Sequence, residues 1–295
     1  IFLLNMLVFY LIQINLIKVF KMQDYDLIIK PKQKSTDYFS DILKFKDLLF
    51  LLTWRDILVR YKQTVIGVLW AVIRPVLTMV VFTIVFGKIA NLPTEGQAPY
   101  AILVFTALLP WQFFANGFAA CANSLVDGAG MLSKIYFPRL ILPISSILTA
   151  LVDFTISFAI LAVLMICYGF MPSANIMFLP LFILLTFFTV FSTGVLIAAL
   201  NVEYRDFRYI IPFIIQFGLY ISPVGFSSSI VPEEYQWLYN LNPLVGIIDG
   251  FRWCILGTDT LNINSIAIST VVTLVLLLVS LRVFRNLERT FADKI

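Results

Sequence analysis

The chain contains no histidine, only three cysteines and few charges: Asp, Glu, Lys and Arg together supply 13% of its 295 residues. Without histidine, the commonest proton shuttle and metal ligand is missing. The carboxylates are scattered as well, so catalysis by this chain alone is disfavoured. Cys121, Cys167 and Cys254 lie far apart, and the first two fall in apolar runs. They suggest neither a disulfide framework nor a metal site and read as small packing residues. The shortage of charge has its own consequence. Ordinary globular chains carry about 25% charged residues, whereas here 60% are hydrophobic and several apolar runs hold no charge over 20 residues or more. A soluble core cannot absorb such runs, because soluble helices must keep one face polar. The composition predicts an all-α integral membrane protein.

Six apolar runs stand out, at 65–87, 100–121, 140–169, 176–200, 209–225 and 263–281. At a rise of 1.5 Å per residue, about 20 residues cross the hydrocarbon layer. Each run is near that length or longer, the fifth being the shortest. Basic residues set the orientation. With the segment before the first run placed in the cytoplasm, 18 of the 21 Lys and Arg residues fall on the inside, Lys88 and Arg252 fall outside, and Arg74 lies within a run. Six spans with both chain ends cytoplasmic follow. The opening "IFLLNMLVFYLIQINLIKVFK" has no cleavage site after its apolar run and reads as a doubtful upstream extension, 1–21, or an extra hydrophobic segment, with Met22 as the natural start. The expected organisation is then a cytoplasmic segment 22–63, a transmembrane domain 64–285 and a cytoplasmic tail 286–295.

The long connection 223–262 alternates turn chemistry with apolar pieces too brief to span, which suggests short re-entrant helices in an external loop. Within it, Gly246 and Gly250 of "GIIDG" fit tight packing or turns better than helix dimerisation. Its carboxylates, Glu233, Glu234, Asp249 and Asp259, have no spacing that reads as catalytic.

The stretch "WRDILVRYKQTVIGVLWAVIRP", residues 54–75, passes from a charged helix to an apolar one. Trp54, Ile57, Leu58 and Tyr61 recur at helical spacing, with Leu48, Leu51 and Leu52 extending the stripe, while Arg55, Asp56, Arg60 and Lys62 lie largely off it. This is the pattern of an amphipathic helix at the membrane surface. A simple lipid anchor accounts for the basic residues; both signs on the polar face suit a protein partner too. Arg74 sits roughly 13 Å into the first run and Asp153 roughly 20 Å into the third, counted from the same face. Intramembrane charges are costly unless paired or hydrated. Two arrangements answer that cost: an Arg74–Asp153 pair, or separate exposure of each to a wet channel.

Five motifs, "WRDILVRYKQTVIGVLWAVIRPVLTMVVFTIVFG", "PYAILVFTALLPWQFFANG", "KIYFPRLILPIS", "NVEYRDFRYIIPF" and "LYNLNPLVGIIDGFR", together resemble the membrane subunit of bacterial ABC-2-type polysaccharide exporters, the O-antigen and teichoic-acid permeases. The likeness runs in order from about Met22 to the C-terminus. It implies a homodimeric channel in the bacterial inner membrane, with a dimer of separate ATPase subunits on the cytoplasmic side holding ATP and Mg. It also implies a glycan on undecaprenyl diphosphate as cargo. On that likeness Trp54, Arg55, Asp56, Arg60 and Tyr61 belong to the ATPase-docking interface helix, and Leu132, Ser133, Lys134 and Arg139 to the coupling loop. Candidates for the channel or substrate are Arg74, Trp70, Trp111, Phe113, Phe114, Asp153, Phe217 and Tyr220, although interhelical or lipid packing explains each aromatic more simply. Arg55, Arg60 and Arg74 offer guanidinium groups to a diphosphate. Arg74 departs from the pattern, since glutamine is the residue expected there.

The chain holds no G-x-x-x-x-G-K-[ST] loop and therefore no backbone cradle for ATP. It reads as a permease subunit without catalytic, metal or cofactor residues, and no nucleic acid is expected as a partner. A gradient-driven transporter standing alone is the alternative, but that class usually carries more intramembrane ionisable groups and recognisable repeats. A membrane-embedded glycan transferase is a third reading, weakened by the lack of a defensible general base.

Overall fold

The computed structural model describes residues 42–62, 67–92, 98–132, 134–204, 206–258 and 261–294. The expectations for residues 1–21, and those resting on Ser133, Arg205 and Asp259, lie outside the described residues. All regular structure among the described residues is helical. Helix α1 (Lys46–Lys62) precedes α2 (Gly67–Phe82), which continues as a π-helical stretch, Thr83–Ile89. Then come α3 (Tyr100–Asp127), the short α4 (Ala129–Leu132), α5 (Ile141–Tyr168), α6 (Leu179–Glu203) and α7 (Phe207–Ile221). Two shorter helices, α8 (Glu233–Tyr239) and α9 (Pro243–Leu256), lead to α10 (Ile263–Leu287) and the one-turn α11 (Phe291–Lys294).

Among the described residues, five helical stretches are long and apolar enough to cross a membrane: Leu69–Ile89, Tyr100–Asp127, Ile141–Tyr168, Ala174–Glu203 and Ile263–Thr290. The fifth apolar run of the sequence folds as α7, whose 15 residues extend about 22 Å. It is shorter than the run because Ser222 and Pro223 end it in extended backbone.

α3 forms the centre, with every residue from Ala101 to Trp111 buried, packed by α5, α6 and α9. α2 and α10 are mostly exposed. Buried hydroxyls and amides join the central helices where apolar surface gives no drive to associate in lipid. Thr189 of α6 bonds Thr273 of α10 at 2.9 Å. Asn201 of α6 donates to the Ala122 carbonyl of α3 at 3.1 Å. Gly246 and Gly250 serve close packing: a Cβ on Gly246 would lie 2.6 Å from the Ser265 carbonyl oxygen of α10, and one on Gly250 2.0 Å from the Phe182 ring of α6.

The helix ends gather at two poles. At the first, Arg139 before α5 donates to the Glu288 carbonyl beyond α10, and Lys294 pairs with Glu203 at the end of α6. At the second, Tyr100 reaches the Gly225 carbonyl beyond α7, Ser173 beyond α5 bonds Ile255 of α9, and Ser265 of α10 bonds Asn240. Local chemistry sets these ends. Gly169 and Gly257 close α5 and α9 in the left-handed region, at φ 63° and 69°, which glycine adopts without steric cost. Asn242 and Asn262 accept backbone N–H bonds as N-caps of α9 and α10.

Candidate functional site

Three polar constellations and two exposed helix faces occupy this scaffold. The first joins α1 to α5. α1 packs chiefly on α5 rather than on α2, the helix that follows it. Leu52, at 2% exposure, is its buried anchor. Trp54 is exposed and stacks on Phe50 at 6.4 Å, so the packed stripe runs through Leu52 and not through Trp54. Near the end of α1, Arg60 and Tyr61 both donate to the Asp153 carboxylate. The Arg74–Asp153 pair is therefore not formed: Asp153 is taken by α1, and Arg74 is exposed with no ion pair to a described residue. Helix length explains the change of partner. α5 has 28 residues, about 42 Å, so it exceeds a hydrocarbon layer of about 30 Å. Counted back from Tyr168, Asp153 lies about 22 Å along the helix, close enough to a membrane surface for an interfacial helix to reach it. Burial, then the bond to Asp153, raises the Tyr61 pKa above its ordinary value and keeps the hydroxyl protonated as a donor. Arg55 and Asp56, expected to face a partner, bond each other at 2.8 Å on the surface.

At the first pole, α4 and the turn after it form the predicted coupling loop. Lys134, Ile135 and Tyr136 are exposed, while Phe137 is buried. With Leu132 and Arg139 they line a pocket of about 250 Å³. Arg139 does not face outward as expected for a docking residue. Its guanidinium donates to the Glu288 carbonyl and lies 5.7 Å over the Phe291 ring, so it anchors the C-terminal turn. The sequence reading passed over Ile135 and Tyr136. Their signal was available: two large apolar groups beside a lysine in a loop between spans.

At the second pole, side chains tie down the segment after α7. Arg252 of α9, 1% exposed, donates to the carbonyls of Phe226 at 3.0 Å and Val224 at 3.3 Å. Tyr100 takes the Gly225 carbonyl between them, and Asn242 donates to the Ser222 hydroxyl. Phe82 of α2 and Phe86 of the π-helical stretch that follows it press on Gly225, where a Cβ would lie 2.8 Å from the Phe86 ring. Burial first, and then the Asp249 carboxylate, raise the Tyr239 pKa; the Arg252 charge opposes them. In the sequence Arg252 counted only as one of two outside cations. An arginine inside "GFRWCIL", a piece too short to span, was the clue to its burial.

The proposed channel aromatics divide into two groups. Trp111, Phe113 and Phe114 are buried in the α3 core, where Phe113 packs on Phe154 at 5.5 Å and Trp111 on Phe114 at 5.8 Å. They are packing residues of this chain, not wall residues, because α3 is enclosed by other helices. Trp70 and Arg74 are exposed one turn apart on α2, and Phe217 and Tyr220 are exposed on α7, in line with Tyr209 and Phe213.

The ABC-2 type transporter family model matches residues 47–256. An O-antigen export system permease of Klebsiella pneumoniae, RfbA, is 29% identical over 249 residues, covering 84% of this chain and 94% of its own. RfbA of Myxococcus xanthus is 25% identical over 259 residues, 86% and 98% of the two chains. The polysialic acid transport protein KpsM of Escherichia coli is 24% identical over 253 residues, 82% and 93%. The matched span takes in nearly all of α1, the loop around Lys134, both faces and the Arg252 constellation. This chain belongs to the ABC-2 type transporter family and is a multi-pass membrane subunit of a transporter.

Proposed function

We propose that this chain is the membrane subunit of an ATP-driven exporter that carries a lipid-linked polysaccharide, of the O-antigen kind, across a bacterial inner membrane. The observation that carries this reading is the match to O-antigen export permeases over more than four fifths of the chain. Two copies assemble with two ATPase subunits, which bind ATP and Mg. Both chain ends lie in the cytoplasm in this reading, supported by the split of Lys and Arg, 18 of 21 on the inside, among them Arg139, Arg285, Arg289 and Lys294 of the first pole. α7 makes a sixth crossing, and α8 and α9 dip into the outer half of the membrane from the second pole.

In this reading the ATPase seats on the surface made by Lys134, Ile135 and Tyr136 and on the exposed side of α1. Closure of the ATPases on ATP moves these contacts. The exposed faces of α2 and α7 wall the pathway between the two copies. Trp70, Phe217 and Tyr220 offer ring faces to the apolar faces of sugars, a sequence-tolerant contact. Arg74 offers the diphosphate of the carrier a guanidinium able to bind two oxygens at once. The test is to express this chain with candidate ATPases and measure co-purification, ATP hydrolysis and surface glycan. Stimulated hydrolysis with glycan export supports the reading; export that persists with an ATPase unable to hydrolyse ATP overturns it.

A further inference from the structure

Asp153 is a carboxylate in the middle of a long apolar helix, and its partners come from a different kind of element. Arg60 and Tyr61 lie on consecutive positions of α1, and both donate to that one side chain. A carboxylate bound by a guanidinium and a hydroxyl is held in both position and orientation, since two donors approach its two oxygens separately. The Asp153 side chain is mostly shielded, at 18% exposure, while that of Arg60 is 41% exposed, so water screens the ion pair from the arginine side. α1 is thus fastened near the middle of α5 and not only at its end.

The next residue carries the contact onward. Phe154 meets the Phe113 ring of central α3 at 5.5 Å and the Phe251 ring of α9 at 6.2 Å, edge to face. Phe251 is fully buried, and its neighbour Arg252 holds the Val224 and Phe226 carbonyls at the second pole. Side-chain contacts, relayed through the backbones of α5 at 153–154 and of α9 at 251–252, therefore join α1 to the segment tied down at that pole. Packed cores respond to displacement as units, so a shift of α5 moves what its rings touch.

We infer that Arg60, Tyr61 and Asp153 form the joint by which displacement of α1 is handed to α5 and, through Phe154 and Phe251, to the hydrogen-bonded segment Ser222–Ser227. The three are positioning residues; they touch no cargo. This inference rests on the ATP-driven reading above, which supplies the force on α1.

The test uses the full chain reconstituted with its ATPase in proteoliposomes, comparing Asp153→Asn, Arg60→Gln, the mild Tyr61→Phe, and the exchange Arg60→Asp with Asp153→Arg. Two quantities are read at matched protein amount and melting temperature. One is glycan exported per ATP hydrolysed; the other is the ATP-dependent change in hydrogen exchange over 222–227. The singles are expected to keep ATP hydrolysis while exported glycan per ATP falls about five- to tenfold, the low end of ordinary coupling free energies. The exchange variant recovers a substantial part, and Tyr61→Phe, which removes one hydroxyl, shows a smaller loss of the same kind. Unchanged export per ATP in Asp153→Asn and Tyr61→Phe overturns the joint, as does an exchange variant no better than the worse single. If Asp153→Asn fails to fold, Tyr61→Phe decides by the same ratio. Absence of ATP-stimulated export in the wild type sinks the ATP-driven reading instead, and the joint falls with it; normal coupling in both wild type and variants sinks the joint alone.

Discussion

Replacing Arg252 with methionine keeps the aliphatic stem and removes the guanidinium. Two carbonyls lose their donor, Val224 at 0% exposure and the half-buried Phe226. A buried acceptor left unsatisfied costs about 1–3 kcal/mol. Tyr100 still holds the Gly225 carbonyl, so the segment loosens without detaching. The sum, about 2–6 kcal/mol, translates into a fall in melting temperature of roughly 4–12 °C, at about 2 °C per kcal/mol for a chain of this size. Arg252→Lys retains a cation but has a single donor head, which can reach one of two carbonyls lying apart, so about half the loss is expected. Purified protein in detergent would be followed by thermal unfolding and by hydrogen exchange over 222–227. Faster exchange confined to that segment and its neighbours is the expected signature. A methionine variant melting within about 1 °C of the wild type, with unchanged exchange there, would refute the claim that these bonds hold the second pole closed.

Other outcomes follow from the same geometry. Gly250→Ala places a Cβ 2.0 Å from the buried Phe182 ring, an overpacking worth about 1–3 kcal/mol; unfolding in denaturing detergent should come earlier, and Phe182→Leu in the same chain should restore part of the loss. Thr273→Val removes the 2.9 Å bond to Thr189 and should cost about 0.6 kcal/mol; adding Thr189→Val should cost little more, and full additivity in the double-mutant cycle would contradict a shared bond. Arg139→Gln removes the contacts to Glu288 and Phe291, so limited proteolysis should cut the 288–294 region sooner, and an unchanged cleavage rate would show that Arg139 does not anchor it.

Much of this protein was legible before its folding. The shortage of charge and the length of the apolar runs determine helices in a membrane, because a bare backbone in lipid must satisfy its own hydrogen bonds. Gly169, Gly257, Asn242 and Asn262 mark helix ends by local backbone chemistry alone. The five linked motifs carried the family, and the matching family model spans the same region. Partnership was not legible in this way. Arg74 and Asp153 have depths compatible with pairing when each run is measured from one edge, but depth along a helix says nothing about azimuth or about overhang beyond the membrane. The tertiary structure turns Asp153 toward Arg60 and Tyr61, and leaves Arg74 exposed.

The aromatics teach the same distinction. Trp111 and Phe217 have equal claims as pore rings by residue type, yet one is 4% and the other 50% exposed. Which face of an apolar helix is enclosed depends on neighbours distant in sequence, and where every face is apolar no periodicity records it. Composition and local signals therefore determined the solvent, the helices and their ends. Only packing decided which charges meet, which rings are enclosed, and that Arg252 holds the second pole together.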